Sequence, residues 1–156
     1  MIYIGADHRG YKLKETLKKY LEELSKEFSA QGGPALGWED LGALELIIDD
    51  DYPDYAIPVA RKVSESPKEN RGILICGSGV GVDVVANKFK GVRSALIFNP
   101  EQARMSRNDD NTNVLSLSAD FTDENSAKEI LKVWLETPFS RLERHARRLE
   151  KIKAIE

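Results

Sequence analysis

The sequence predicts an α/β fold in which a parallel sheet of five strands, ordered 2-1-3-4-5, is covered by helices on both faces. Two observations carry this prediction. Short apolar runs alternate with segments of helical periodicity, which is the pattern of consecutive strand–helix units. The run Gly72–Cys76 is apolar without a break, as expected of a parallel strand that is covered on both faces. With 156 residues, the chain is the size of one domain, residues 1–156.

The first predicted unit is a strand followed by a long helix. Ile2–Ala6 is a short apolar run, after which apolar residues recur at helical spacing: Leu13, Leu17, Tyr20, Leu21 and Leu24. Glycine and proline residues then interrupt the periodicity within Ser29–Gly37. We expect residues 29–37 to be an exposed loop insertion before a weak strand near Trp38–Leu41. This loop could cover a functional site or serve assembly.

Four further helices and three further strands follow. A helix is predicted to begin near Pro53, where Asp49, Asp50 and Asp51 would complement its dipole. The remaining predicted pairs of strand and helix are Gly72–Cys76 with Val82–Phe89, Val92–Phe98 with Pro100–Arg107, and Asn113–Leu117 with Glu124–Leu135. Asn108–Asn113 has the composition of a polar turn. The alternation predicts a Rossmann-like, doubly wound sheet in three layers.

The last stretch, residues 140–156, is predicted to be a helix at a subunit interface. It is rich in Arg and Lys and has a narrow apolar stripe of Leu142, Leu149 and Ile152. Such a stripe could pack on a neighbouring subunit or on its own domain.

The composition excludes several classes of function. The chain has 23 basic and 26 acidic residues and a net charge of −3, so nothing in its global charge favours nucleic acid or an anionic membrane. Its single cysteine cannot form an internal disulfide, which favours a reducing, cytoplasmic setting. No targeting segment and no apolar run of membrane-spanning length is recognisable. An anion site would therefore be local.

Topology predicts where a ligand binds. Parallel sheets bind ligands at the carboxyl ends of strands, where the winding direction reverses, which is between strands 1 and 3 for the predicted order. The loops after those strands carry Asp7 and His8, and the glycine-rich segment Cys76–Gly81. Topology and residue chemistry therefore select the same place.

The glycine-rich segment has two interpretations. Gly77, Gly79 and Gly81 allow backbone N–H groups to converge on an anion beside the positive end of a helix. The same glycines could simply permit a tight turn, since their spacing does not match the dinucleotide-binding fingerprint. Cys76 could likewise be an inert core residue, but a position at a helix N-terminus favours the thiolate, which can accept a proton from carbon.

Other polar residues are weaker candidates. His8 could be structural, but it directly follows a strand and shares a loop with Asp7, whose carboxylate could bind sugar hydroxyls. Arg144 and Arg148 share a helix face at positions i and i+4. They could form a bidentate phosphate clamp or a solvated basic face.

Five segments together resemble ribose-5-phosphate isomerase type B and the related galactose-6-phosphate isomerase subunits, in order and along nearly the full chain. They are G-A-D-H-R-G-Y-K-L-K from Gly5, D-Y-P-D-Y-A from Asp51, G-I-L-I-C-G-S-G-V-G from Gly72, A-N-K-F-K-G-V-R from Ala86 and R-H-A-R-R-L-E-K-I from Arg144. The resemblance implies an aldose–ketose isomerase without metal or cofactor.

The resemblance also implies roles for particular residues. Cys76 would move the proton between C1 and C2, Ser78 would contact a hydroxyl, and the backbone of Gly77–Gly81, including Gly79 and Val80, would stabilise the enediolate. Asp7 and His8 would contact substrate. Arg144 and Arg148 would hold phosphate across the interface of a homodimer or a dimer of dimers.

Three positions depart from the family pattern. The family usually has a His-Asn pair where this chain has Asp109 and Asp110. Because that histidine opens the sugar ring, Asp109 could replace it, the substrate could already be open, or ring opening could be slow. A substrate-binding arginine of the family falls at Asp120. These carboxylates should weaken phosphate binding unless the fold turns them away.

The sequence therefore predicts an isomerase of a phosphorylated sugar, ribose 5-phosphate and ribulose 5-phosphate before a hexose 6-phosphate. An alternative is a sugar-phosphate-binding or assembly protein that kept the scaffold and lost efficient turnover. Nucleotide binding at the same switch point is disfavoured by the glycine spacing.

Overall fold

The computed structural model describes residues 1–156 and contains one five-stranded parallel sheet with six helices. The strands are β1 (Ile2–Ala6), β2 (Trp38–Asp40), β3 (Arg71–Cys76), β4 (Ser94–Leu96) and β5 (Val114–Ser118). The helices are α1 (Tyr11–Ala30), α2 (Tyr52–Glu65), α3 (Val80–Ala86), α4 (Pro100–Asp110), α5 (Glu124–Glu136) and α6 (Glu143–Lys153). The predicted fold class is confirmed.

The order of the strands differs from the prediction at one end of the sheet. The observed order is β2-β1-β3-β5-β4, so β5 rather than β4 lies beside β3. The physical reason is burial. All five residues of β5 are buried, as a central strand requires, whereas β4 has three half-buried residues and suits an edge. The loop after β5 is thereby brought next to the loop after β3.

Two apolar cores lie on opposite faces of the sheet. One packs α1, α4 and α5 against β1, β3 and β5, and its largest buried side chain is Trp134. The other packs α2 and α3 against the opposite face, with Val59, Val63 and Val82 among its buried residues. Alternate side chains of each strand supply both cores. This is the predicted arrangement of three layers.

The polar turn predicted at Asn108–Asn113 is wrong in its first half. Helix α4 continues to Asp110, and the turn is made by Asn111, which caps the helix in the left-handed conformation with φ of 47°. Asp109 and Asp110 therefore lie in the last helical turn. Because α4 runs back from the carboxyl end of β4 to the amino end of β5, both carboxylates lie at the amino edge of the sheet.

The loop insertion is shorter than predicted and lies away from the carboxyl edge of the sheet. Ser29 and Ala30 still belong to α1, and the loop proper follows them. Its last residue, Gly37, accepts a 2.9 Å hydrogen bond from the amide of Ile2, at the amino end of β1. The loop lines a cavity together with Met1 and Arg71. Within one chain the loop therefore does not cover the site between strands 1 and 3, and its alternative role in assembly stays a prediction.

Helix α6 packs only lightly on its own domain. His145 is its only buried residue, and the apolar side chains of Leu142 and Ile152 remain exposed. This arrangement leaves the helix surface free for the predicted subunit interface. None of the six helices combines the length and the apolar character needed to cross a membrane.

Candidate active site

A cavity of about 310 Å³ opens at the carboxyl edge of the sheet, where β1 and β3 end. It is lined by six residues that the sequence predicted, namely Asp7, Cys76, Gly77, Ser78, Val80 and Gly81, and by two that it did not, Arg9 and Tyr52. The predicted location at the switch point between strands 1 and 3 is thus where these side chains meet.

Cys76 is the last residue of β3 and is only 4% exposed, yet it lines this cavity. Its Sγ accepts a hydrogen bond from the amide of Gly79 at 3.2 Å. An N–H donor directed at sulfur stabilises a thiolate more than a thiol. The residue therefore differs from an ordinary core cysteine in that it lines a cavity and its sulfur accepts a hydrogen bond from a backbone amide.

The glycine-rich loop reaches Cys76 because Gly79 adopts a left-handed conformation. Its φ is 76°, and a Cβ at this position would lie 2.4 Å from Cδ1 of Leu96 and 2.9 Å from the carbonyl carbon of Leu117. Only glycine fits both requirements. The amides of Gly77, Ser78 and Gly81 donate to no acceptor in the protein, so they remain able to bind an anion at the cavity.

The loop after β5 holds the Cys76 loop in place. Ser118 donates its hydroxyl to the carbonyl of Gly77 at 2.7 Å, and the amide of Asp120 donates to the same carbonyl at 3.0 Å. The amide of Ala119 donates to the carbonyl of Cys76 at 3.0 Å. This clamp exists because β5 neighbours β3, which the predicted strand order did not include.

Asp7 is a buried carboxylate at the wall of the cavity. It is 5% exposed, and its Oδ1 accepts the amide of Gly10 at 2.9 Å, which closes the turn between β1 and α1. Burial raises the pKa of Asp7 above its ordinary value, and the hydrogen bond from Gly10 opposes that shift. The carboxyl group is thus fixed in position with one oxygen available to a ligand.

His8 is anchored by Asp50, which the sequence reasoning assigned only to a helix dipole. Oδ1 of Asp50 accepts the amide of His8 at 2.9 Å and lies 2.6 Å from its Nδ1. The hydrogen bond with Asp50 raises the pKa of His8 above 6.5, although partial desolvation opposes it. Nε2 is left as the free ring nitrogen. Unlike Asp7, His8 does not line the Cys76 cavity itself.

The same cluster is where a cation could bind. The potential ligand atoms of Asp7, His8 and Asp50 lie within 4.8 Å of one another. The short contact between His8 and Asp50 is nevertheless a hydrogen bond that already uses two of these atoms. We interpret the cluster as an oriented histidine, with its carboxylate partner holding the ring.

Arg9 and Asp120 form an ion pair at the entrance to the cavity. Nη2 of Arg9 lies 2.5 Å from Oδ2 of Asp120, and both side chains remain partly exposed. Arg9 also lies against the backbone of Gly77, where a Cβ would come within 2.5 Å of Nε. The sequence predicted that Asp120 weakens phosphate binding unless the fold turns its carboxylate away, and in the structure this carboxylate is paired with Arg9.

Four predicted residues are not brought to the cavity by their own chain. Asp109 lies 3.7 Å from Nδ1 of His145 and accepts a 2.6 Å hydrogen bond from Asn108, at the amino edge of the sheet. Arg144 and Arg148 are exposed on α6. Asp110 lines other cavities. These groups could meet Cys76 only across an interface between two chains.

Two larger cavities, of about 630 and 490 Å³, lie at the amino edge, between α6 and the segments that enter β3 and β4. Apart from Asp110, they contain none of the predicted site residues. The smaller Cys76 cavity is the better candidate because nucleophilic, acidic and cationic groups converge there.

A match that spans almost the whole chain shows the family to which the protein belongs. Residues 2–152 match the family model described as ribose/galactose isomerase. The chain belongs to this family. The resemblance of the five segments and the expectation of an isomerase, an intramolecular oxidoreductase, are thereby confirmed.

Individual relatives agree in sequence and in structure. The probable ribose-5-phosphate isomerase B of Mycoplasma genitalium is 40% identical over 151 residues, covering 97% of this chain and 92% of the relative. The crystal structure of the M. genitalium ribose-5-phosphate isomerase B with bound ribulose 5-phosphate superposes with a TM-score of 0.84 at 38% identity, covering 99% and 94% of the two chains. The type B enzyme of Trypanosoma brucei gives 0.87 at 39% identity, covering 99% and 97%.

Proposed function

We propose that this protein interconverts ribose 5-phosphate and ribulose 5-phosphate through an enediolate, with Cys76 as the base. The observation that carries the proposal is the placement of Cys76 Sγ at the cavity wall, with the Gly79 amide donating to it. The names of the relatives, several of which are ribose-5-phosphate isomerase B, support the choice of a pentose phosphate.

The reaction needs one proton to move between adjacent carbons. In the open-chain aldose, the Cys76 thiolate takes the C2 proton, and the electrons of the C2–H bond form the C1–C2 double bond of the enediolate. Cys76 then returns the proton to C1, while a hydroxyl proton moves from O2 to O1, and the ketose results. The exposed hydroxyl of Ser78 is placed to contact these oxygens. The free loop amides would stabilise the developing negative charge.

Two groups at the end of β1 would bind the rest of the substrate. The fixed carboxyl group of Asp7 suits sugar hydroxyls, because one of its oxygens is not used by the protein. The hydrogen bond with Asp50 raises the pKa of His8, which favours the protonated ring, and its free Nε2 suits a phosphate oxygen. Neither role requires a metal or an organic cofactor.

The remaining groups would come from a second copy of the chain. Arg144 and Arg148 are exposed at helical spacing on α6, and Asp109 and Asp110 lie at the same amino edge. A homodimer, or a dimer of dimers, that sets the amino edge of one chain against the carboxyl edge of another would bring them to Cys76. Arg144 and Arg148 would then bind phosphate, while Asp109 would open the sugar ring and Asp110 contact substrate.

A second candidate is a family member with weakened turnover, or one that isomerises a hexose 6-phosphate. It is favoured by one observation: Asp109 occupies the position of the family's ring-opening histidine. Parallel assays with ribose 5-phosphate, allose 6-phosphate and galactose 6-phosphate distinguish these possibilities.

Replacing Cys76 tests the proposed function most directly. We expect Cys76→Ala to lower kcat by about 10²- to 10⁴-fold, the usual contribution of a general base. Proton exchange between C1 or C2 of the sugar and solvent, followed by NMR, should disappear with it. Turnover of the variant within a few fold of the parent would contradict the role of Cys76 as base.

The single cysteine provides the control for this experiment. Alkylation with iodoacetamide can modify only Cys76, so inactivation of the parent measures this thiol alone, and ribose 5-phosphate should slow it. The Cys76→Ala variant should keep its thermal unfolding temperature and be insensitive to the reagent. If the parent exchanges no proton with any of the three sugar phosphates, the proposed function is wrong for these substrates.

A further inference from the structure

Arg9 reaches across the entrance of the Cys76 cavity from the loop after β1 to the loop after β5. The guanidinium bonds Asp120 through Nη2 alone, at 2.5 Å. A guanidinium has five N–H donors in a planar fork. Four donors therefore remain, and the side chain lines the cavity that contains Cys76.

The position of this guanidinium is specified by its surroundings. Its Nε and Cζ lie where a side chain on Gly77 would be, within 2.5 and 2.6 Å of an added Cβ. The loop that carries the reactive cysteine thus leaves room for Arg9. Asp120 in turn has its amide fixed on the carbonyl of Gly77 at 3.0 Å, so both partners of the ion pair are attached to the same turn of backbone.

The ion pair of Arg9 and Asp120 also compensates for the loss of a positive charge at position 120, which the sequence indicated. The arginine expected from the family pattern at position 120 is replaced by an aspartate, which alone would repel a phosphate. In the structure that aspartate is paired with Arg9, the third residue of the loop after β1, and the pair has no net charge. Compared with the family pattern, the positive charge is therefore supplied by the loop after β1 instead of the loop after β5.

We propose that Arg9 is a substrate-binding residue of this chain. Asp120 holds its guanidinium over the cavity, and the free N–H donors of Arg9 bind the phosphate of the sugar. Arg9 follows His8 directly, so a guanidinium and an imidazole held by Asp50 are presented from one loop of the same chain. The inference rests on the proposed function for the identity of the ligand. It differs from an ordinary surface ion pair, which would contribute little to stability and nothing to binding.

The test measures binding separately from turnover. In the Cys76→Ala background, in which turnover is strongly slowed, the Kd of ribose 5-phosphate is measured by calorimetry with and without Arg9→Ala. We expect Arg9→Ala to raise Kd by about 10- to 100-fold, the usual effect of removing a charged hydrogen-bond donor. In the presence of Cys76, the same substitution should raise KM by a similar factor and change kcat much less.

A charge swap and a matched control complete the experiment. Arg9→Asp should weaken binding, and the double variant that also carries Asp120→Arg should recover to within about fivefold of the parent, because the pair is restored with the arginine at position 120. Lys132→Ala breaks another partly exposed pair between distant elements, with Glu27 at 3.1 Å, and should leave Kd unchanged.

The outcomes separate the two proposals. If the parent isomerises ribose 5-phosphate but Arg9→Ala leaves Kd and KM unchanged, the inference about Arg9 is overturned and the proposed function stands. If the parent is inactive but binds ribose 5-phosphate through Arg9, the inference stands and the proposed function fails. If neither the parent nor the Cys76→Ala protein binds ribose 5-phosphate, both are wrong.

Discussion

The two edges of the sheet hold their charged groups in different ways. At the amino edge, Arg107 is 3% exposed and donates to the carbonyl of Thr137, the side chain of Asn111 and the carbonyl of Thr112. Burial, reinforced by neighbouring Arg71 and Arg93, lowers the pKa of Arg107 to about 9. Three of its five hydrogen-bond donors are used within the protein. This edge uses its buried charge for structure.

The carboxyl edge instead leaves donors and acceptors unused. The amides of Gly77, Ser78 and Gly81 have no acceptor in the protein, and Arg9 uses one of its five donors. Buried side-chain atoms without a hydrogen-bond partner occur at both edges, Oδ2 of Asp50 at this one and Nη1 of Arg71 at the amino edge, so the difference lies in the free donors that surround the cavity. Unused polar groups beside a cavity are costly for folding and useful for binding. The contrast indicates which edge carries the chemistry.

The contrast between the two edges can be tested at two glycines in the left-handed conformation, one near each edge. Replacing the one at the carboxyl edge has the largest expected effect. Gly79 has φ of 76° and no room for a Cβ, whereas Gly32 has φ of 82° and nothing within 4 Å. We expect Gly79→Ala to lower the free energy of unfolding by about 2–5 kcal/mol and to abolish isomerisation, because strain and overpacking add. Urea unfolding and the isomerase assay measure the two effects.

Gly32→Ala is the matched control for that substitution. It carries only the cost of a left-handed alanine, about 1–2 kcal/mol, and should leave activity intact. Similar losses of stability in the two variants would show that the close approach of Leu96 and Leu117 to Gly79 does not matter, and the contrast between the edges would weaken.

The role proposed for Asp109 requires the amino edge of one chain to meet the carboxyl edge of another, and it is tested next. If Asp109 of a second chain opens the sugar ring, Asp109→Asn should slow turnover of cyclic ribose 5-phosphate by about tenfold or more, as expected for the loss of a general acid–base group. Pre-steady-state turnover of ribulose 5-phosphate, which has no ring to open, should change much less. Rapid-quench kinetics in both directions provide the measurement.

A carboxylate on the same helix supplies the control for Asp109. Glu101 lies at the opposite end of α4 and pairs with Arg104 at 2.6 Å, so Glu101→Gln should leave both directions unchanged. Equal slowing of both directions by Asp109→Asn would argue for a structural role through its contact with His145, at 3.7 Å.

Local sequence signals were sufficient for most of the fold and for the centre of the site. The apolar run that ends at Cys76 and the glycines behind it predicted β3, the loop and its position at the switch point. These features depend on neighbours in the chain, where periodicity and turn chemistry act. The cavity lining from Asp7 to Gly81 follows from them together with the rule for parallel sheets.

What the sequence could not provide are the pairings between distant segments. Arg9 meets Asp120 across 111 positions, and His8 meets Asp50 across 42. Both depend on which loops become neighbours, and the first depends on β5 lying beside β3. Strand order at the sheet edge is set by relative burial, and the short runs that became β4 and β5 looked alike in the sequence. The only available signal in the sequence was a basic residue in the first loop, Arg9, together with an unexpected acidic residue, Asp120.

The smallest expected effect is that of breaking the pair between His8 and Asp50, which lies beside the cavity at the carboxyl edge. Because the hydrogen bond with Asp50 raises the pKa of His8 above 6.5, Asp50→Asn should lower that pKa toward 6.5. The protein has two histidines, and NMR titration resolves both. The ring signals of His145, which is bonded to Ser140 at 2.7 Å at the amino edge, serve as the internal control for an intact fold.

The same substitution changes how stability depends on pH, and the direction follows from the sign of the shift. A histidine whose pKa is raised by folding stabilises the protein fully below pH 6.5, where both states are protonated, and this contribution is lost as pH rises through the folded pKa. The free energy of unfolding of the parent should therefore fall over that interval, and Asp50→Asn should flatten the fall. An unchanged His8 titration in the variant would mean that Asp50 fixes only the backbone of the loop, through the amide of His8, and does not control the charge that the ring presents to phosphate.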